Sequence, residues 1–106
     1  MKIEDFNDTI EKQWMKCKRV LAKKAERYVH GEDRFIQFKT AGILQHENFI
    51  KALGGEMVKH TTTLYDLING KIDDTERIAA WDEVITDHIN YLFLLKGLIV
   101  EKFEGK

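Results

Sequence analysis

Apolar residues recur along this chain with the 3.6-residue period of amphipathic α-helices, and the two-residue alternation of strands is weaker. From Ile3 onward they advance in steps of three, four and seven, which predicts one long helix ending near Gly31. The residues expected to face inward from this helix are Phe6, Ile10, Trp14, Cys17, Leu21 and Tyr28. The chain contains no proline, which favours long uninterrupted helices and an all-α fold.

Two shorter segments predict the second and third helices. The second is expected over about residues 33–44, with Asp33 as the residue that caps its first turn. The third is expected over about residues 47–68. Gly54 and Gly55 interrupt it, and each glycine costs on the order of 1 kcal/mol relative to alanine inside a helix. We therefore expect a break there, or close approach by another backbone or a ligand.

The last helix is predicted to begin with a cap at Asp74 or Thr75 and to continue to about Phe103. Its later part, "YLFLLKGLIV", is apolar on nearly all sides, as in a helix that is surrounded by partners. A small bundle gives little cover for such a helix, so we expect a homo-oligomer. The predicted architecture is a single helical domain over residues 1–106, a small bundle of about four helices.

Composition and charge exclude several classes of protein. Seventeen Lys and Arg against eighteen Asp and Glu give a formal net charge of -1, unlike the strongly basic proteins that bind long nucleic acids. Cys17 is the single cysteine, which excludes an internal disulfide and a cysteine-based metal cluster. Apolar runs are shorter than the roughly 20 residues that cross a bilayer. The N-terminus is too charged for a signal peptide, so we expect a cytoplasmic protein that contacts no membrane.

The first half of the last helix is polar. Glu83, Asp87 and Asn90 stand at positions i, i+4 and i+7, which places them on one face of a helix. Two carboxylates on successive turns repel each other unless a metal ion, a Lys or Arg, or a proton lies between them. Mg²⁺ would fit such a pair together with the oxygens of a phosphate. The alternative is that Glu83 and Asp87 simply face solvent.

Two further clusters contain side chains suited to binding an anion. On the third helix Glu56 and His60 are four residues apart with Lys59 beside them, although a single helical histidine is more often an ordinary hydrogen-bonding residue. Between residues 23 and 39, cations that pair with phosphate alternate with rings that stack on a base. These residues are Lys24, Arg34 and Lys39, with Tyr28, Phe35 and Phe38. A helical hairpin with core aromatics and solvated charges is the alternative.

In order along the chain, four segments resemble a family of small phage proteins called nucleotide modification associated domain one: "KKAERY", "GEDRFIQFK", "MVKHTTTLYDLI" and "WDEVITDHINYLFLLKGLI". That family is distantly similar to the MazG-like all-α nucleotide pyrophosphatases, and the resemblance spans about Cys17 to Val100. MazG-like enzymes hold Mg²⁺ with E-x-x-E on one helix and E-x-x-D on the next. Glu83 and Asp87 approximate the second motif as E-x-x-x-D, whereas the first motif is absent.

The resemblance implies a small phage-type nucleotide-binding protein that holds or sequesters a nucleotide, such as a host cyclic nucleotide immune signal, in the host cytoplasm. The expected ligand-binding residues are Lys24, Tyr28, Arg34, Phe38, Lys39, Lys59, His60 and Asn90. One alternative is a Mg²⁺-dependent nucleoside triphosphate pyrophosphatase, in which Glu83, Asp87 and Glu56 would hold the metal. The other alternative is a helical interaction protein without a small ligand.

Overall fold

The computed structural model describes residues 1–28, 31–71 and 77–106, and within these ranges the chain forms four α-helices and no strand. The helices are α1 (Ile3–Tyr28), α2 (Ile36–Gln45), α3 (Phe49–Ile68) and α4 (Arg77–Glu104). The all-α prediction is therefore confirmed. Among these helices none is both long and apolar enough to span a membrane. The predicted caps of the last helix, Asp74 and Thr75, lie outside the described residues.

The hydrophobic core lies where α2, α3 and α4 meet. Phe38 of α2, Leu53 of α3 and Leu98 of α4 form its centre and are at most 3% exposed. Around them pack the partly buried side chains of Phe35, Ile50, Tyr91, Leu94 and Leu95. Helix α1 lies against the other side of α4, so α4 has partners on two sides. This arrangement covers part of the apolar second half of α4, whereas Leu92 and Phe93 remain 48% and 38% exposed.

The helix boundaries differ from the prediction by a few residues for a local reason. The Asp33 side chain accepts a hydrogen bond from the Phe35 amide at 2.9 Å, which makes a turn instead of the predicted helix cap. Helix α2 therefore begins only at Ile36, without a side-chain cap. In α3 the cap is Asn48, whose Oδ1 accepts from the Lys51 amide at 2.7 Å.

The glycine pair does not interrupt α3. The helix continues through Gly54 and Gly55, and a Cβ added at either position would meet no atom within 4 Å. The prediction of a break, or of close approach by another backbone, is therefore wrong, and close approach by a ligand stays a prediction. The pair lies on a part of α3 where the other helices leave open space.

Only part of the apolar stripe predicted for the first helix is buried. Cys17 is 1% exposed against α4, whereas Phe6, Ile10 and Trp14 remain 54%, 50% and 43% exposed. All of residues 1–12 are exposed. The prediction that Phe6, Ile10 and Trp14 face the core is wrong. Phe6 and Ile10 lie in the first three turns of α1, which are exposed throughout, and Trp14 packs against Phe93 of α4, which is itself 38% exposed.

Candidate functional site

A cleft of about 320 Å³ opens between α1, the turn before α2, and helices α2, α3 and α4. Small-molecule sites have volumes of roughly 300–1,000 Å³, so this cleft lies at the lower end of the range. We refer to it as the cleft. Its lining residues are Leu21, Lys24, Arg34, Gln37, Phe38, Glu56, Lys59, Asp87, Asn90, Tyr91 and Leu94. All four helices contribute, so the cleft depends on the whole described fold.

The carboxylate of Asp87 has a cation partner from α1. Lys24 Nζ donates a hydrogen bond to Asp87 Oδ1 at 3.1 Å, and the Asp87 side chain is only 16% exposed. His60 Nδ1 lies 3.8 Å from the other carboxylate oxygen, Oδ2. The partner of this carboxylate is therefore a lysine, one of the alternatives that the sequence left open.

The pKa of His60 is lowered by burial, although the side chain lies beside a carboxylate. Burial lowers its pKa from the ordinary value of 6.5, and this effect exceeds the opposing attraction of Asp87. The nearby positive charges of Lys24 and Lys59 lower the pKa further. The His60 ring also packs on Tyr91, with ring centroids 4.6 Å apart. His60 thus supports the wall of the cleft with its ring, and Lys24 supplies the charge that neutralises Asp87.

Asn90 lines the cleft and contains a buried acceptor atom. Its side chain is 3% exposed, and its Nδ2 donates to the Cys17 carbonyl on α1 at 3.2 Å. Its Oδ1 is buried and accepts no hydrogen bond from the residues that the structure describes. An unsatisfied buried polar atom costs about 1–3 kcal/mol, so native structures usually pair such atoms with protein, water or ligand. A ligand with an N–H or O–H group could satisfy Asn90 Oδ1.

Arg34 and Lys59 supply cations that none of the described residues neutralises. Neither side chain makes a hydrogen bond or ion pair with the residues that the structure describes. Arg34 lies in the turn fixed by Asp33, and burial lowers the pKa of its guanidinium, which nevertheless stays charged at neutral pH. Lys59 is exposed on α3. Both are free to bind an anion.

The lining carries more positive than negative charge. Three cations, Lys24, Arg34 and Lys59, face two carboxylates, Glu56 and Asp87. Glu56 Oε2 is 3.4 Å from the Tyr91 hydroxyl that donates to it, which is long for an O–H···O bond. Because the Lys24–Asp87 pair is internally neutral, the excess charge comes from Arg34 and Lys59. This balance favours an anionic ligand.

The structure brings five of the predicted ligand-binding residues to the cleft and separates others from it. Those that line it are Lys24, Arg34, Phe38, Lys59 and Asn90. Phe38 is 2% exposed, so most of its ring is packed in the core and is not available to stack on a base. His60 contacts two lining residues but does not line the cleft itself. The side chain of Tyr28 lies outside the described residues.

Lys39 is held away from the cleft by two carboxylates. Its Nζ lies 2.6 Å from Asp33 and 2.9 Å from Glu101 on α4. The hydrogen bond from Lys39 is the main cause of the lowered pKa of Asp33. Lys39 therefore ties the turn before α2 to the end of α4. This contact fixes the segment that carries Arg34.

Of the three carboxylates predicted as metal ligands, Glu56 and Asp87 line the cleft and Glu83 does not. Glu83 is exposed and does not line the cleft, Asp87 is paired with Lys24, and Glu56 accepts from Tyr91. Among the described residues no group of three or more His, Cys, Asp or Glu side chains is placed to hold a metal ion. These residues therefore do not fit a Mg²⁺ site as a set.

Gln37 and Tyr91 line the cleft but were not among the predicted residues. Gln37 follows Arg34 by three residues, and Tyr91 follows Asn90 directly. Gln37 had no usable signal, because Arg34 lies in the turn before α2 and does not share a helix face with it. Tyr91 had no usable signal either, since its position agrees equally well with a core residue.

No protein-family model, curated protein or solved structure matches this chain. The resemblance to nucleotide modification associated domain one therefore stays a prediction. Fold and cleft together define an all-α protein with a positively charged cleft built from all four described helices.

Proposed function

We propose that this protein binds a nucleotide in the cleft. The observation that carries the proposal is that two cations of the lining, Arg34 and Lys59, are paired by no described residue, and that Asn90 beside them has a buried Oδ1 with no partner among the described residues. Phosphate oxygens accept strong hydrogen bonds from guanidinium and ammonium groups. The exocyclic amine of a base or a ribose hydroxyl can donate to an amide oxygen. A nucleotide carries both kinds of group in one small molecule.

The finer parts of the proposal come from the resemblance and from the sequence. They are a phage origin, a MazG-like bundle, assembly as a homo-oligomer, and a ligand such as a host cyclic nucleotide signal that is sequestered and not hydrolysed. Sequestration is preferred over the pyrophosphatase alternative because Glu83, Asp87 and Glu56 do not fit Mg²⁺ as a set. The cleft is small and the net charge is -1, so a long nucleic acid is not the proposed ligand.

Binding is tested by calorimetric titration with a panel of linear and cyclic nucleotides, followed by Arg34→Ala and Lys59→Ala variants. Losing a charge-assisted hydrogen bond to phosphate costs on the order of 1.5–3 kcal/mol, so each variant should bind at least tenfold more weakly. The free energy of unfolding should change by less than about 0.5 kcal/mol, because neither cation has a partner in the described fold.

The matched control is Lys51→Ala. Lys51 is exposed on α3, two turns before Lys59, and does not line the cleft. The Lys51→Ala variant should bind the nucleotide as the wild type does. If Arg34→Ala and Lys59→Ala also keep wild-type affinity for a confirmed ligand, the cleft is not the binding site.

Hydrolysis is tested in the same samples by mass spectrometry. After incubation with Mg²⁺ and denaturation of the protein, the proposal expects the nucleotide to be recovered intact. Added chelator should leave the affinity unchanged, because the proposed contacts are made by side chains alone. Release of pyrophosphate that is abolished by Glu83→Gln would instead support the enzyme alternative.

A further inference from the structure

Arg34 lines two hollows of the surface. One is the cleft, and the other is a hollow of about 400 Å³ beside the end of α4. This second hollow is lined by three carboxylates, from Glu32, Asp33 and Glu101, and by one cation besides Arg34, from Lys106. A guanidinium pairs readily with a carboxylate, often through two parallel hydrogen bonds. Nevertheless, Arg34 forms an ion pair with none of these three carboxylates.

Lys39 occupies two of the three carboxylates. Its Nζ lies 2.9 and 3.1 Å from the two oxygens of Glu101. It also lies 2.6 Å from Asp33 Oδ2, while Asp33 Oδ1 accepts a hydrogen bond from the Phe35 amide. An ammonium group has three N–H donors, so these contacts use most of what Lys39 can donate. As a result, every carboxylate oxygen of Asp33 and Glu101 already has a donor.

Glu101 would lose its described partner if Lys39 were removed, whereas Asp33 would keep its backbone donor. The released carboxylate would lie in the hollow that Arg34 and Lys106 line. Lys106 is 77% exposed, so pairing would cost its flexible side chain much conformational freedom. The guanidinium of Arg34 is planar, weakly hydrated and able to make two parallel hydrogen bonds. Arg34 is therefore the preferred partner of a free Glu101.

We propose that Lys39 is a positioning residue of the cleft, which keeps the Arg34 guanidinium free for an anion by occupying the carboxylates of Asp33 and Glu101. The effect on binding rests on the proposed function, because Lys39 acts there through Arg34. This role differs from the direct ligand contact that the sequence predicted for Lys39. It also differs from a purely mechanical role, in which Lys39 only ties the turn before α2 to α4. The two roles predict opposite results when Glu101 is neutralised.

The first test needs no ligand. NMR measures the rate at which the Arg34 Nε proton exchanges with water, and pairing of the guanidinium slows this exchange. In Lys39→Met, an ordinary surface ion pair would leave about one sixth of the molecules with a free Arg34, so the exchange should slow about sixfold. Lys39→Met combined with Glu101→Gln should exchange at the wild-type rate. An unchanged rate in Lys39→Met would overturn the inference.

The second test is the Kd for inorganic pyrophosphate, measured by NMR titration. Lys39→Met should raise this Kd about sixfold, because only the molecules with a free Arg34 bind. Adding Glu101→Gln should restore the wild-type Kd, whereas a mechanical tie would stay broken and its loss would not be rescued. Lys39→Arg keeps the charge and should bind as the wild type does. In an Arg34→Ala background, Lys39→Met should have no further effect, because the residue through which it acts is gone.

Two matched controls separate local pairing from the effect of net charge. Lys106→Met removes a cation from the same hollow that contacts neither Asp33 nor Glu101, and it should leave the Kd unchanged. Lys39→Met combined with Glu32→Gln has the same net charge as the rescued variant. It should not restore binding, because Glu32 lines the hollow without contacting Lys39. Equal rescue by Glu32→Gln would overturn the inference.

Failure of the proposed function would look different. A wild type that does not bind pyrophosphate, or an Arg34→Ala variant that binds it as the wild type does, would count against the phosphate contacts in the cleft. The exchange rate of the Arg34 Nε proton would still decide whether Lys39 keeps the guanidinium free, because that measurement is made on the protein alone.

Discussion

Replacing Gly54 and Gly55 with alanine should stabilise the protein. Both glycines lie in the middle of α3, and a Cβ at either position would meet no atom within 4 Å. The substitution therefore adds no clash and removes the conformational freedom that glycine has in the unfolded chain. Each change is worth about 1 kcal/mol, so the double variant should gain about 2 kcal/mol. For a domain of this size that gain corresponds to a melting temperature about 8–16 °C higher.

Urea denaturation followed by helical circular dichroism measures this gain. The urea concentration at the midpoint of unfolding should rise. The dependence of the unfolding free energy on urea concentration should stay constant, because the surface exposed on unfolding barely changes. Gly42→Ala is the matched control in α2. A Cβ at Gly42 would lie 2.8 Å from the Glu47 carbonyl oxygen and 2.9 Å from Phe49 Cδ1. The same chemical change should therefore destabilise the protein at position 42.

A loss of stability in the Gly54 and Gly55 variants would refute this reasoning, because it would show that some surface approaches these positions closely. Helix α3 also carries Glu56 and Lys59 of the cleft. If nucleotide binding is confirmed, the alanine variants should bind as the wild type does. Weaker binding in a more stable variant would instead support the close approach of a ligand that the sequence predicted.

Two further predictions concern pH and the core. Burial lowers the pKa of His60 below the 6.5 of the unfolded chain, so the unfolded state takes up more protons between those two pKa values. The free energy of unfolding should therefore decrease as the pH falls from 6.5 toward the pKa of His60 in the folded protein. The measurement is the urea midpoint as a function of pH, and His60→Gln should make this part of the curve flatter. Leu53→Ala removes a side chain that is 0% exposed and should cost about 2–5 kcal/mol, whereas Leu44→Ala, at 75% exposed, should cost less than about 0.5 kcal/mol by the same measurement.

Hydrophobic periodicity was sufficient to predict the helices, but not which apolar residues are buried. The period specifies the face of a helix, and it contains no information about how far a neighbouring helix extends along that face. Cys17 and Phe6 belong to the same predicted stripe, yet only Cys17 lies where α4 covers it. The start of α2 was misplaced because an aspartate can form either a cap or a turn with its own backbone neighbours, as Asp33 does.

Only part of the candidate site could be predicted from the sequence, and the reason is related. Spacing along one helix showed that Asp87 and Asn90 share a face, but the partners of that face lie 63 and 73 residues earlier in the chain. Sequence spacing alone could not distinguish Lys24, which reaches Asp87, from Lys39, which pairs with Asp33 and Glu101. Ion pairs between residues far apart in the sequence depend on which helices become neighbours in the fold.

The polar first half of α4 determines how α1 is attached to the rest of the fold. Three side chains of α4 that face α1 make hydrogen bonds to it: Thr86 with Gln13, Asp87 with Lys24, and Asn90 with the Cys17 carbonyl. Each such bond contributes only about 0.5–1.5 kcal/mol net, and more where a charge takes part. These polar contacts leave Ile3, Phe6 and Ile10 at the start of α1 exposed. The cleft is lined by Leu21 and Lys24 of α1 together with residues of the other three helices, so a ligand bound there would stabilise the attachment of α1.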